Sequence, residues 1–183
     1  MYRGMAIHFL DKGIRAEETD KIVNALKDAE VTIRYEEGLQ QVYLNGRNIT
    51  DRLREEAVGK MASLTSAIPQ VRQKLLELQK GLARTQDVIM DGRDIGTCVL
   101  PDADVKIYLT ASVETRAKRR YDELTEKGVA CDLNEIARDI KERDERDSTR
   151  EIAPLKQAED AVLVDSSHMT IEEVVAAIVK LCR

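Results

Sequence analysis

Asp87-Val88-Ile89-Met90-Asp91-Gly92-Arg93-Asp94-Ile95-Gly96-Thr97 is the stretch on which the reading of this chain turns. Val88 to Met90 is a short apolar run with the length and composition of a buried strand. It stops at Asp91-Gly92, where the backbone can turn, and then presents Arg93 and Asp94 side by side. In open α/β sheets, ligands sit in the crevice beyond the carboxyl ends of the strands. A strand ending in two carboxylates and an arginine is therefore a candidate wall of a site. The competing reading is a solvated turn with one exposed ion pair, and the residues on either side decide between them.

Outward from that stretch, composition narrows the class. A chain of 183 residues fits one domain with a real core, with room for a small appended lobe. Aromatics make up 3%, with no Trp and Phe9 as the single Phe, so the core must come from Val, Ile, Leu, Ala and Met. That palette suits helices packed on a parallel sheet. A net charge of −5 offers no positive excess to displace phosphate counterions, which argues against nucleic acid as a partner. It leaves room for an anionic small ligand, because local arginines can dominate a cleft. Cys98, Cys131 and Cys182 are odd in number and widely spaced, which fits reduced thiols rather than a disulfide frame or a zinc site. No apolar run approaches the roughly 20 residues of a membrane span. The expectation is a soluble cytoplasmic protein with no membrane or nucleic-acid partner.

Along the chain, Met1 to Leu10 is a weakly amphipathic start, and residues 20–29 predict a short helix with Thr19 as N-cap. Val31 to Tyr35 and Gln41 to Leu44 alternate as half-buried strands. Asn45-Gly46 is the strongest turn signal, and Arg47-Asn48-Ile49 is a candidate third strand. These segments predict a small antiparallel meander at the periphery. Residues 57–67 and the Val71, Leu75, Leu78, Leu82 series predict helices on either side of Pro69. Val105 to Leu109 and Ala161 to Asp165 read as strands. Ser112 opens a charged helix that Gly128 ends, residues 133–146 form another, and Thr170 to Glu173 is a capping box for the last. Strands alternating with helices imply βαβ units and parallel pairing.

Chemistry gathers again near the end of the penultimate helix. Arg143 and Asp147 are four apart, and Asp147 and Arg150 three apart, so a helix reaching that far puts all three on one face. A solvated, ion-paired face is one reading. The other is a clamp for a nucleoside monophosphate, in which guanidinium forks grip phosphate and the carboxylate accepts from sugar hydroxyls. Pro154-Leu155 is expected to stop the helix. Asp94 gains meaning beside such a clamp. Cytosine offers an exocyclic amino donor to a carboxylate, whereas uracil puts a carbonyl there and leaves a buried charge unpaired. Ser63 and Arg72, on the helices flanking Pro69, supply further polar contacts or, in the plainer reading of Ser63, close helix packing.

The stretch 91–97, then Pro101 to Leu109, Arg119-Arg120-Tyr121, and Arg143-Asp144 through Asp147 and Arg150 to Pro154-Leu155, resembles bacterial cytidylate kinase over essentially the whole chain. That resemblance implies an α/β fold: a P-loop-kinase-like parallel sheet with flanking helices, plus a small antiparallel nucleoside-monophosphate-binding lobe. It implies a single domain over residues 1–183 with the CMP-binding lobe inserted at about residues 31–67. It also implies transfer of the γ-phosphoryl of ATP to CMP or dCMP, with Mg2+, by a monomer. Ser63, Arg72 and Asp94 would read cytosine, and Arg93, Arg143, Asp147 and Arg150 would hold ribose and phosphate. Tyr2 and Arg3 would match a Tyr-Arg pair lining the same pocket. Arg93, Arg119 and Arg120, with Arg116 nearby, would reach the transferring phosphoryl group, and Asp91 would hold Mg2+ through water.

One family element departs from the pattern. None of the nine glycines stands in a GxxxxGK[ST] phosphate loop, and Gly59-Lys60 has Arg54 where the first glycine belongs. Met1-Tyr2-Arg3 resembles a point inside the family's sequence, just after its second strand. The expectation is therefore an internal methionine, with the upstream segment that carries the family's N-terminal strands and P-loop lost or left out of the assigned reading frame. The alternative function is an N-terminally truncated, catalytically inactive CMP-binding remnant. Met90-Asp91-Gly92 also touches the nucleophile loop of haloacid-dehalogenase-type phosphatases, but Ile89 stands where that loop needs an aspartate.

Overall fold

In the computed structural model, which describes residues 1–182, the chain divides into two compact units, Met1–Val88 and Ile89–Arg183. The first is organised around helix α1, Tyr2–Asp11. Gly4 to Phe9 are buried in unbroken succession, so the helix is covered on every side rather than on one stripe. The weakly amphipathic pattern of this segment is the signature of a core helix, and Met5, Ile7 and Phe9 are wholly inaccessible to water. They pack with Ile22 of α2 (Thr19–Ala25), Val58 of α3 (Glu56–Thr65), and Val71 and Leu75 of α4 (Pro69–Thr85). Thr19 is the first helical residue, and Glu18 takes the N-cap position expected of it. Pro69 starts α4 at its first turn, where a missing N–H costs nothing.

The meander forms as the alternation predicts. Strands β1 (Val31–Glu36), β2 (Leu39–Leu44) and β3 (Arg47–Asn48) make an antiparallel sheet in that order. Val31 pairs with Leu44 and Glu36 with Leu39, and the third strand is only two residues long. Asn45 and Gly46 both have positive φ, 48° and 78°, the pair of left-handed residues that a two-residue hairpin turn requires. The Asn45 side chain also accepts from Glu30 N–H at 2.7 Å and donates to the Asp28 carbonyl at 2.8 Å. Asn45→Ala is accordingly expected to destabilise this unit by about 1.5 kcal/mol, combining a left-handed alanine with two lost hydrogen bonds. Thermal denaturation checks it, and Asn45→Gly should recover the conformational share.

The second unit holds strands β4 (Ile107–Thr110) and β5 (Val162–Asp165), paired in parallel with Ile107 opposite Val162 and Thr110 opposite Asp165. The crossover between them runs through α5 (Val113–Glu126) and α6 (Leu133–Thr149), and α7 (Ile171–Leu181) follows. Ser112 caps α5 by accepting from Thr115 N–H at 3.1 Å. Gly128, at φ 71°, ends it. The Thr170–Glu173 capping box is present in both directions. Helices α5 and α6 are tied by Arg116 and Asp144, 2.6 Å apart.

The predicted strand Val88–Met90 is not formed. Ile89 is wholly exposed, and the two sheets of the described residues contain no strand beside it. A strand exists only by pairing, so an apolar run without a hydrogen-bonded neighbour stays irregular. Helix α6 likewise ends at Thr149, before the Pro154 expected to stop it.

Candidate functional site

In the second unit two of the three acidic residues singled out in the sequence are buried. Asp94 is 6% exposed and Asp147 4%. Burying a carboxylate is costly unless it is paired, and both are paired with arginines. Arg93 Nε donates to Asp147 Oδ2 at 3.2 Å. Arg143 Nε lies 3.8 Å from the same oxygen, and Arg150 Nη1 lies 4.0 Å from Oδ1. Arg150 Nη2 also stands 3.9 Å from Asp94 Oδ1, so one guanidinium links the two carboxylates. Three guanidinium groups against two carboxylates leave a positive excess, which suits an anion.

Local structure fixes each of these groups. Gly92 lies in the bend before Asp94, where an added Cβ would come within 2.7 Å of Ile95 Cγ1. A side chain at position 92 would force the Ile95 side chain to shift. After Asp94 the chain enters a π turn, Ile95–Val99, in which Cys98 and Val99 donate to the Asp94 carbonyl at 2.9 and 3.3 Å. Such wide turns recur at functional sites. Asp147 lies in the last turn of α6, where Arg143 at i−4 reaches it along the helix as the spacing predicts, while Arg150 follows the helix in extended backbone and reaches it from just beyond the end. Arg93 joins them across 54 residues of sequence, which spacing alone does not reveal.

In the first unit the guanidinium carbon of Arg72 lies 5.8 Å from the centre of the Tyr2 ring. Arg72 Nη1 donates to the Ser66 carbonyl at 3.2 Å, and Ser66 Oγ donates to the Ser63 carbonyl at 2.8 Å. Ser63, Arg72 and Tyr2 are thereby gathered at the turn between α3 and α4. Ser66 joins the two predicted contacts, and its one sequence signal is a serine at the end of α3 just ahead of Pro69. Arg3 is directed elsewhere, Nη1 donating to the Leu53 carbonyl at 2.6 Å.

The remaining predicted residues have structural partners of their own. Arg119 Nη2 donates to the Ser166 carbonyl at 2.6 Å and to the Met169 carbonyl at 3.3 Å, tying α5 to the loop after β5. Arg120 Nη1 donates to Glu123 Oε2 at 2.8 Å. Lys127 and Arg120 together hold the Glu123 carboxyl down from 4.5 to about 2. Because this pKa is depressed, its contribution to stability is present above pH 4.5 and is lost as pH falls through about 2. An NMR titration should find the Glu123 midpoint near 2, and added salt should move it upward since the group is solvent-exposed. Asp91 is exposed, and the described residues hold no cluster of three or more His, Cys, Asp or Glu side chains able to bind a metal.

Comparison with known proteins shows the family of the chain. A family model described as cytidylate kinase matches residues 1–183. A cytidylate kinase of Caldicellulosiruptor saccharolyticus is 46% identical over 181 residues, covering 99% of this chain and 80% of the relative. One from Lactobacillus johnsonii is 44% identical, with 99% and 79% covered. One from Carboxydothermus hydrogenoformans is 42% identical, with 99% and 82% covered.

Proposed function

The chain belongs to the cytidylate kinase family, a family of nucleoside-monophosphate kinases, and from that premise we propose that it phosphorylates CMP and dCMP with ATP as donor. In this reaction an oxygen of the CMP phosphate attacks the γ-phosphorus of ATP. The bond from that phosphorus to the β–γ bridging oxygen breaks, giving CDP or dCDP and ADP. The demand on the protein is mainly positioning and neutralisation of charge.

The observation that carries the reading is the pair of buried carboxylates, Asp94 and Asp147, set among Arg93, Arg143 and Arg150. We assign Asp94 to the exocyclic amine of cytosine and Ser63 and Arg72 to further base contacts, with Tyr2 and Arg3 assigned to the same nucleotide on the family resemblance. Arg93, Arg143, Asp147 and Arg150 are assigned to the ribose and phosphate. Arg93, Arg119 and Arg120 are assigned to the charge that develops on the transferring phosphoryl group. Asp91, an exposed carboxylate, would hold Mg2+ through water, and the ion would supply neutralisation of charge at the donor phosphates. With no GxxxxGK[ST] loop in this sequence, none of its residues is assigned the role of a phosphate loop toward ATP. We assign the protein to the cytoplasm, where the thiols of Cys98, Cys131 and Cys182 stay reduced.

Calorimetry and a coupled assay of ADP release test both halves of the proposal. CMP and dCMP are expected to bind and to drive ADP release, with UMP poorer by about 100-fold in kcat/KM. Equal binding of CMP and UMP would overturn the assignment of the base contacts. CMP binding without any ADP release would overturn phosphoryl transfer and leave a nucleotide-binding protein.

A further inference from the structure

We propose that Ala153 is a positioning residue for the nucleotide site, its left-handed backbone aiming a carbonyl that fixes the Arg150 guanidinium between Asp94 and Asp147. Among the described residues only Glu37, Asn45 and Ala153 have positive φ without being glycine. Glu37 and Asn45 stand in the two hairpin turns of the meander, next to Gly38 and Gly46, where the turn demands it. Ala153, at φ 49°, is in no hairpin. A non-glycine residue in that region signals a constraint imposed by its surroundings, and such positions cluster at functional sites.

The constraint is visible in two bonds. Leu155 N–H donates to the main-chain carbonyl of Asp147 at 2.8 Å, folding the segment after α6 back onto the helix end. Ala153 is carried past Arg150 by that fold, and Arg150 Nε donates to its carbonyl at 2.7 Å. This bond is much shorter than the 3.9 and 4.0 Å separations between Arg150 and the two carboxylates. Charge-assisted bonds of full strength run at about 2.7–2.9 Å, and the Ala153 carbonyl at that distance orients the Nε edge of the guanidinium. The η edge then meets Asp94 and Asp147, on the same side as the residues assigned to ribose and phosphate. The inference rests on the CMP-binding reading and adds to it a residue with no side-chain chemistry of its own.

Ala153→Val and Ala153→Gly, measured by calorimetry with CMP on the full chain, test it. A β-branched residue is excluded from the left-handed region, so Ala153→Val turns the carbonyl away and is expected to weaken CMP about tenfold. Glycine keeps the conformation and is expected to preserve affinity within about twofold. In an Arg150→Lys background, where no Nε remains to be held, Ala153→Val should cause no further loss. Unchanged affinity in Ala153→Val, or an equal loss in both backgrounds, would overturn the positioning role. Should Ala153→Val fail to fold, the unaltered chain still decides. Its Arg150 Nε–H resonance, assigned by its disappearance in Arg150→Lys, is expected to exchange slowly with water, and fast exchange would overturn the proposal. Absence of any CMP preference over UMP in the unaltered chain would overturn instead the reading on which it rests.

Discussion

Replacing Asp94 by alanine is expected to lower the affinity for CMP by about 10- to 100-fold and to leave UMP binding unchanged or improved. A hydrogen bond to a charged group contributes about 1.5–3 kcal/mol, and this carboxylate is buried where water cannot replace it. For UMP the arithmetic reverses. The uracil carbonyl faces Asp94 lone pair to lone pair, so deletion of the carboxylate relieves an unfavourable contact. The CMP-to-UMP ratio should therefore collapse toward unity. Asp94→Asn sharpens the test, because its amide can donate to uracil as well as accept from cytosine. The measurement is calorimetry with both nucleotides on all three proteins, and an undiminished CMP preference in Asp94→Ala would remove this residue from base recognition.

Asp147→Ala is expected to destabilise the second unit by about 3 kcal/mol. Breaking a buried ion pair by removing one partner costs about 3–5 kcal/mol, since the opposite charge is left behind. Here three guanidinium groups lose a shared carboxylate, but the side chains of Arg93 and Arg143 are 41% and 36% exposed and regain solvation. The lower end of the range follows. Hydrogen exchange on the amides of α6 reads the change directly, because the loss should appear as faster exchange through the whole helix. Asp147→Asn, which keeps the shape and the acceptor, should lose less. An α6 protected as well in Asp147→Ala as in the unaltered chain would mean that the cluster does not support this unit.

Much of this architecture is written locally. Alternation in residues 31–35 and 41–44, Asn45-Gly46 between them, Ser112 before α5 and the Thr170–Glu173 box each act within a few residues, and each forms where the sequence places it. The Arg143–Asp147 pair is legible for the same reason, since helical spacing is a local property, whereas Arg150 meets Asp147 from beyond the helix end. Features that depend on distant partners are less so. The run Val88–Met90 has the composition of a strand, but composition does not supply the neighbour a strand needs. Burial of α1 on all sides, Arg93 reaching Asp147, and Arg119 bound to the loop after β5 are all set by long-range packing. The left-handed Ala153 is hidden because alanine carries no turn signal at all.

The hairpin at Asn45-Gly46 also gives the molecule a chemical clock. Asparagine followed by glycine is prone to deamidation, in which the glycine nitrogen attacks the side-chain amide carbon, the Cγ–Nδ2 bond breaks with loss of ammonia, and water opens the resulting succinimide to aspartate or isoaspartate. In the folded hairpin both ends of that amide are held, Oδ1 by Glu30 and Nδ2 by Asp28, so the ring-closing rotation is resisted. An unfolded chain has no such restraint. The fraction of aspartate and isoaspartate accumulated at position 45 therefore records how long the hairpin has spent open.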